Sequence, residues 1–322
     1  MALSACSVGG NAEGQLIPSA ITTQPITEGN ADLTATATAD SLGISSENYP
    51  KVDGSTSTLA IVQAIYSAMF VEDAAYTDGY PTVASKTVPS YRLLIDGEAD
   101  IILVPYASAD VLAEAEKAGV QLEFHKIAAE ALIFITSAEN PTESITLDQV
   151  REIYLNYGIT NWNALGGPDK ELVPICRNPD SGSQSQMDNL ILNNEEMHPD
   201  IQKNHVELTM EGMLEQVAFY HYGGLSGNST ESYALGYTLY TYLQQMNQVT
   251  GIGENLKILA FDGVIPTEEN IADAYYPLAD GYYAVVRADL PESHCARSII
   301  TWLLSKDGAA AIEKIGLIPC AE

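Results

Sequence analysis

Two short polar turns carry the residues best able to do chemistry. The first is Asp53-Gly54-Ser55-Thr56-Ser57-Thr58, which opens an apolar-periodic stretch at Leu59; the second is Arg177-Asn178-Pro179-Asp180-Ser181-Gly182-Ser183-Gln184, which opens another near Met187. Each puts hydroxyls and free backbone N–H groups at an expected helix N-terminus directly after a strand. Unpaired donors and the positive end of a helix dipole favour an anion there. Arg177 adds a planar guanidinium, a bidentate partner for a tetrahedral oxyanion. The chain has only five arginines, so one placed just before such donors is informative. Helix capping explains either turn taken alone, since Ser and Thr are preferred N-caps for reasons unrelated to ligands. Two such turns, one of them with an arginine, point to an anion site.

Other chemistries lack their residues. The G-x-x-x-x-G-K-S/T phosphate loop is absent, and with it the lysine of nucleotide hydrolysis. Gly224-Leu225-Ser226-Gly227-Asn228 fails the G-x-S-x-G nucleophile elbow at its last position. There is no H-E-x-x-H and no C-x-x-C, and His125, His198, His205, His221 and His294 have no metal-ligand spacing, so neither a metal nor a cofactor is expected. His221 lies among Phe219, Tyr220 and Tyr222 and reads as part of an aromatic packing face, as does the tyrosine-rich stretch 233–242. An extracellular hydrolase has only this Tyr and His richness behind it, and no catalytic residue is assigned.

The elements that must hold the turns alternate along the chain. Strands are expected at 51–53, 99–104, 122–127, 131–136 and 172–176, and helices at 59–70, 90–95, 108–118, 147–155 and from the second turn to about 192. Strands and helices alternating at these spacings indicate an α/β protein with largely parallel sheets. The strand-turn-helix unit occurs twice, around Asp53 and around Arg177.

At 322 residues the chain is long enough for two lobes, and 46% hydrophobic residues suffice for packed cores. Against 14 basic residues stand 43 acidic ones, a formal charge of −29. Such a surface repels phosphate backbones and anionic headgroups, which argues against nucleic acid and polybasic membrane binding. No apolar run approaches the roughly 20 residues of a membrane span. Leu3-Ser4-Ala5-Cys6 has the pattern of a bacterial lipoprotein processing site, which makes Cys6 the expected lipidation residue. Residues 7–46 are rich in Gly, Ala, Ser and Thr, and 1–47 is read as the lipobox remnant and a flexible tether. Cys295 and Cys320 flank the last helical stretch, where an extracytoplasmic disulfide would close a loop; Cys176 would be a buried, inert thiol.

With these residues on the page, the chain resembles the phosphate-binding proteins of ABC transporters. The resemblance rests on YPKVDGSTST at 49–58, RNPDSGSQ at 177–184, DGVIP at 262–266, YPL at 276–278, ARSIITWLLS at 296–305 and GLIP at 316–319. It implies the type II periplasmic-binding-protein fold: two α/β lobes, two hinge crossings near 130–134 and 280–285, and a ligand cleft between them. The first lobe would be 48–131 plus 282–322 and the second 132–281. Ligand contacts are carried over to Ser57, Thr58 and the Leu59 amide, to the hydroxyl of Thr87, and to Arg177, Ser181, Gly182 and Ser183. One departure stands out. Phosphate binders place an aspartate after the Ala99-Asp100 strand to accept the ligand's proton, and Pro105 stands there in this chain. The implied protein is an extracytoplasmic solute-binding lipoprotein, lipid-anchored to the bacterial cell membrane, that delivers phosphate or a related small oxyanion to an ABC permease. The rival reading is a cell-surface sensor or adhesion module that kept the fold and binds a different ligand.

Overall fold

The computed structural model describes residues 33–71, 79–222 and 232–320. Cys6, residues 7–32 of the expected tether and the elbow-like segment 224–228 lie outside the described residues. The described strands are β1 Val52–Gly54, β2 Ile101–Pro105, β3 Leu122–Ser137, β4 Ser144–Ile145, β5 Glu171–Pro174, β6 Cys176–Arg177, β7 Val206–Glu207, β8 Ser232–Leu239, β9 Leu256–Ile258, β10 Ala260–Phe261, β11 Ala279–Arg287 and β12 Ile318–Pro319. Eight of them form one mixed sheet in the order β1-β2-β11-β3-β8-β5, with β9 and β12 also paired to β3.

The expectation of largely parallel sheets holds only at the two edges of that order, β1 with β2 and β5 with β8. The pairs between them are antiparallel. The cause is β3, a single 16-residue strand where two strands had been expected: Ala128-Ala129-Glu130-Ala131 has no Gly, Pro or Asn to break it. Its first part pairs with β11 as far as Ala131 opposite Ala279, and its second part pairs with β8 from Leu132 opposite Leu239. β11 returns along β3, with a register shift at Tyr282 and Tyr283. A Cβ at Gly281 would lie 2.5 Å from the Ala128 carbonyl oxygen, so only glycine permits this approach.

Side-chain alternation along β2 sends Ile101 and Leu103 into one core and Ile102 and Val104 into another, on opposite faces of the sheet. The first core is closed by the helix Leu59–Met69, which buries Ile61, Val62, Ile65, Tyr66 and Met69 at i, i+3, i+4 spacing. The second is closed by the helix Thr87–Ile95. That helix starts before the expected residue 90 because Pro89 falls in its first turn, where a missing N–H costs nothing. A third core gathers Ile133, Phe134, Tyr154, Trp162 and Leu235 on the far side of the β3 crossing. The molecule is therefore an α/β protein of two lobes.

Two expectations need correction. Residues 33–47 are not a free tether: Ala37–Leu42 is a helix, Thr36 caps it and bonds the Ala68 carbonyl at 2.6 Å, and Ala39 and Ile44 are buried. Alternating Thr and Ala supply an N-cap and a small residue that packs closely, which suits a docked turn of helix as well as a linker. Cys295 and Cys320 are free thiols rather than a disulfide. Cys295 opens a helix packed on the Leu59–Met69 side, whereas Cys320 packs against the core of the other lobe. Cys176 is buried and free, and burial pushes its thiol up to about 11, as an inert thiol requires.

Candidate functional site

The turn after β1 is held by its own side chains. Thr58 Oγ1 donates to the Leu103 carbonyl at 2.5 Å and accepts from the Ser55 N–H at 2.9 Å, forming a capping box over the buried end of β2. That leaves Ser55 and Ser57 on the open side, their hydroxyls 3.0 Å apart. The turn after β6 is held by Tyr237 of β8. Its hydroxyl accepts from the Arg177 N–H at 3.0 Å and donates to the Gln184 amide oxygen, so one phenol pins both ends of the loop. Burial raises this tyrosine's pKa well above the ordinary value.

The two turns face each other across a cavity of about 110 Å³. Ser55, Thr56 and Ser57 line it from one lobe, with Lys86 and Thr87 at the start of the helix Thr87–Ile95. From the other lobe come Arg177, Asp180, Ser181 and Gly182, with Leu208, Thr209 and Met210 at the start of the helix Met210–Phe219. Pockets for drug-sized ligands measure roughly 300–1,000 Å³, so this smaller volume suits a small ion. The lobes touch here: a Cβ at Gly182 would lie 2.7 Å from both Thr87 Oγ1 and Pro105 Cγ. Asn189 Nδ2 also reaches across to the Ala107 carbonyl at 3.1 Å.

Arg177 dominates the electrostatics. It is 6% exposed, with Nε donating to the Glu207 carbonyl at 3.0 Å and Nη2 to the Leu208 carbonyl at 3.4 Å, while Nη1 is buried with no partner. The other four arginines each meet a carboxylate: Arg92 with Glu114, Arg151 with Glu195, Arg287 with Asp289 and Arg297 with Glu123. Of the five arginines, all among the described residues, Arg177 alone has no carboxylate in ion-pair contact. Burial pulls its pKa below the ordinary guanidinium value, and an arginine side chain stays protonated in proteins. Thr87 Oγ1, 1% exposed, is likewise buried without a hydrogen-bond partner. An uncompensated buried cation beside unpaired donors is costly unless an anion joins it.

Of the residues expected at the site, Ser57, Thr87, Arg177, Ser181 and Gly182 line the cavity together. Thr58, Leu59 and Ser183 are not in the lining. Thr58 commits its proton to Leu103, and the fully buried Ser183 pairs with Ser181 at 2.9 Å. The expectation missed Ser55 and Thr56, which belong to the same turn, and the 208–210 segment, where Thr209 caps the helix by accepting from Gly212 N–H. It also missed Lys86, a non-glycine at φ 74°, and Asp180, a partly buried carboxylate in the lining with no hydrogen bond or ion pair among the described residues. Strained backbone concentrates at functional sites, which gives Lys86 a signal only the structure reveals. Pro105 stands against Gly182, where the resemblance led one to expect an acid.

Comparison with known proteins agrees with the fold. A family model described as PBP superfamily domain matches residues 35–307. The chain is 28% identical over 193 residues to the phosphate-binding protein PstS of Borreliella burgdorferi; the match covers 59% of this chain and 63% of that relative's length. Among solved structures, an ABC-type phosphate transport receptor from Vibrio cholerae superposes with TM-score 0.60 at 21% identity, covering 83% of this chain and 98% of that one. A Clostridium perfringens protein described as a candidate phosphate ABC transporter substrate-binding protein, solved with phosphate bound, superposes with TM-score 0.59 at 24% identity over the same shares. At these identities the two structures establish likeness of fold.

Proposed function

The chain belongs to the PBP superfamily, and from that premise we propose that it is an extracytoplasmic solute-binding protein of an ABC importer that closes two lobes on phosphate or a related small oxyanion. The observation that carries this reading is Arg177: a buried guanidinium with one free nitrogen and no carboxylate, in a chain with 43 acidic residues. In such a chain a carboxylate partner would be easy to supply, so its absence at this one arginine reserves the charge for a ligand. The small cavity and the serine and threonine hydroxyls around it suit a tetrahedral oxyanion.

In this reading the lobes are 48–131 plus 282–322 and 132–281, joined where β3 and β11 cross, and the contact of Gly182 with Thr87 and Pro105 belongs to the closed state. Ligand contacts from both lobes then hold closure, by differential affinity for the closed arrangement. A lipid on Cys6 would keep the protein at the bacterial cell membrane, where a permease receives the ligand. No covalent step is assigned. The experiment is calorimetric titration of phosphate and sulfate into protein unfolded to strip carried-over ligand and then refolded. Binding that is micromolar or tighter and lost in Arg177→Ala supports the reading; absence of binding to both anions refutes it.

Pro105 favours a second reading, a surface sensor or adhesion module with another ligand, because it removes the acid that would accept a phosphate proton at that position. Failure of the oxyanion titration together with an unchanged fold would favour that alternative.

A further inference from the structure

Behind the cavity wall a chain of hydrogen bonds leads away from the site. The Arg177 N–H donates to Tyr237, Tyr237 donates to Gln184, and Gln184 Nε2 donates to Asp188 Oδ1 at 2.8 Å. Asp188 ends this chain at the lobe boundary. A second cavity, of about 340 Å³, lies there, with Asp188 on one side and Ser108, Ala109 and Asp110 of the other lobe opposite. The next residue, Asn189, makes the hydrogen bond to Ala107 that crosses between lobes. Two carboxylates thus approach each other only when the lobes are together, and one of them is tied to the loop that carries Arg177.

We propose that Asp188 is a positioning residue for lobe closure, and that anion binding tightens when a proton neutralises it. The proposal rests on the oxyanion-binding reading above and adds its regulation by pH. The groups facing Asp188 are mostly acidic or neutral. Gln184 comes from its own helix, Asp110 from the opposite lobe, and Glu195 and Glu196 from the following turn. Cys176 and Arg177 of β6 share a further cavity with it, and Tyr237 of β8 lies within electrostatic reach. Burial pushes its carboxyl up, against the smaller lowering by the Gln184 hydrogen bond, and with a further contribution from Asp110 the carboxyl is raised to about 6. In this proposal, separating the lobes removes Asp110 and the share of burial that the opposite lobe supplies, which lowers the carboxyl toward the ordinary 3.8. The closed state therefore holds the proton more tightly than the open one. Closure gains its full advantage below the ordinary carboxylate value and loses it as the pH rises through about 6.

With these two values, closure and hence apparent affinity should rise about tenfold between roughly pH 7.5 and pH 5. The test titrates inorganic phosphate into stripped wild type and Asp188→Asn at both pH values. Asn keeps an oxygen for Gln184 and is neutral throughout, and the second ionisation of phosphate cancels in the ratio of the two affinities. The expected result is that wild type gains about tenfold on the variant at the lower pH; a ratio that stays constant overturns the proposal. Asp110→Asn should shrink the same ratio from the other lobe, with effects that are not additive to those of Asp188→Asn. If wild type binds no phosphate at either pH, the oxyanion reading has failed, and small-angle scattering of the ligand-free protein decides this proposal separately. Wild type should become more compact on acidification, while Asp188→Asn should be compact at both values; equal dimensions for the two proteins at both values would overturn it.

Discussion

Gly182→Ala separates closure from folding more cleanly than any other change at the site. In the structure a Cβ there meets Thr87 Oγ1 and Pro105 Cγ at 2.7 Å, whereas ordinary contact begins near 3.4 Å. The lobes must therefore part by about 0.7 Å locally, the difference between those two distances. Overpacking of this kind costs about 1–3 kcal/mol, so the dissociation constant for phosphate should rise roughly 5- to 150-fold. The ligand-free protein should respond in the opposite sense. Gly182 is the first residue of the helix Gly182–Met187 and its φ is not positive, so alanine fits the local backbone and removes unfolded-state entropy, adding about 0.4–1 kcal/mol. Calorimetric titration and thermal melting of stripped protein read the two effects independently. Unchanged affinity would mean that the lobes do not close on this contact. A ligand-free melting temperature that fell in step with affinity would mean that the contact belongs to one rigid body and not to a closing cleft.

Other outcomes follow from individual side chains. Arg177→Ala should weaken phosphate binding by about 2–5 kcal/mol, roughly 30-fold or more, without lowering the ligand-free melting temperature, because it removes a buried charge that no protein carboxylate satisfies; a large loss of stability would assign the residue a structural role. Thr58→Val removes one hydrogen bond each from the Leu103 carbonyl and the Ser55 N–H, which stay bonded to each other at 3.1 Å, and should cost about 0.5–1.5 kcal/mol in denaturant unfolding; a neutral result would remove the capping box as the support of the turn. Asp180→Asn should narrow the preference for phosphate over sulfate by about 1 kcal/mol, roughly fivefold, since a partly exposed acceptor discriminates weakly; an unchanged ratio would show that Asp180 does not read a ligand proton. Glu130 is 3% exposed and burial raises its pKa above the ordinary value, so its stabilising contribution is full at low pH and lost as the pH rises through the folded-state value. Glu130→Gln should accordingly stabilise the protein near neutral pH and not in acid, and equal effects in both would refute that titration.

The chemistry of the site was more legible in the sequence than its architecture. Arg177, Ser181 and Gly182 announce themselves because hydroxyls, glycine and a rare arginine are concentrated within seven residues at a helix start. The same signal included Thr58, which lies outside the cavity lining, since a threonine that caps a turn and one that binds a ligand have the same sequence spacing. Only the hydrogen bond to Leu103 separates the two roles. The antiparallel centre of the sheet was hidden because β3 is buried along 127–137, and a fully buried strand has no polar alternation from which to read pairing. Residues 208–210 reach the cavity from a helix far along the chain, and tertiary placement of that kind leaves no local mark. Tyr237 looked like one more aromatic on a packing face, and only its two hydrogen bonds identify it as the strut behind Arg177.

An anion site in a chain of net charge −29 is physically consistent when burial is considered. Surface carboxylates act through water, where charges beyond about 8 Å are screened at physiological ionic strength. Arg177, at 6% exposure, acts where the dielectric is low and its donors are already aimed. In the proposed oxyanion reading the far field governs how often the ligand arrives, while the local donors govern how long it stays. Lys86 at the cavity lining, exposed and without an ion pair among the described residues, adds a second positive charge near the cavity. Asp180 and the Asp188–Asp110 pair oppose it from the lobe boundary. In the proposed closure, one buried cation that needs an anion is balanced against carboxylates that resist being brought together. On that proposal the protein responds both to its ligand and to the proton.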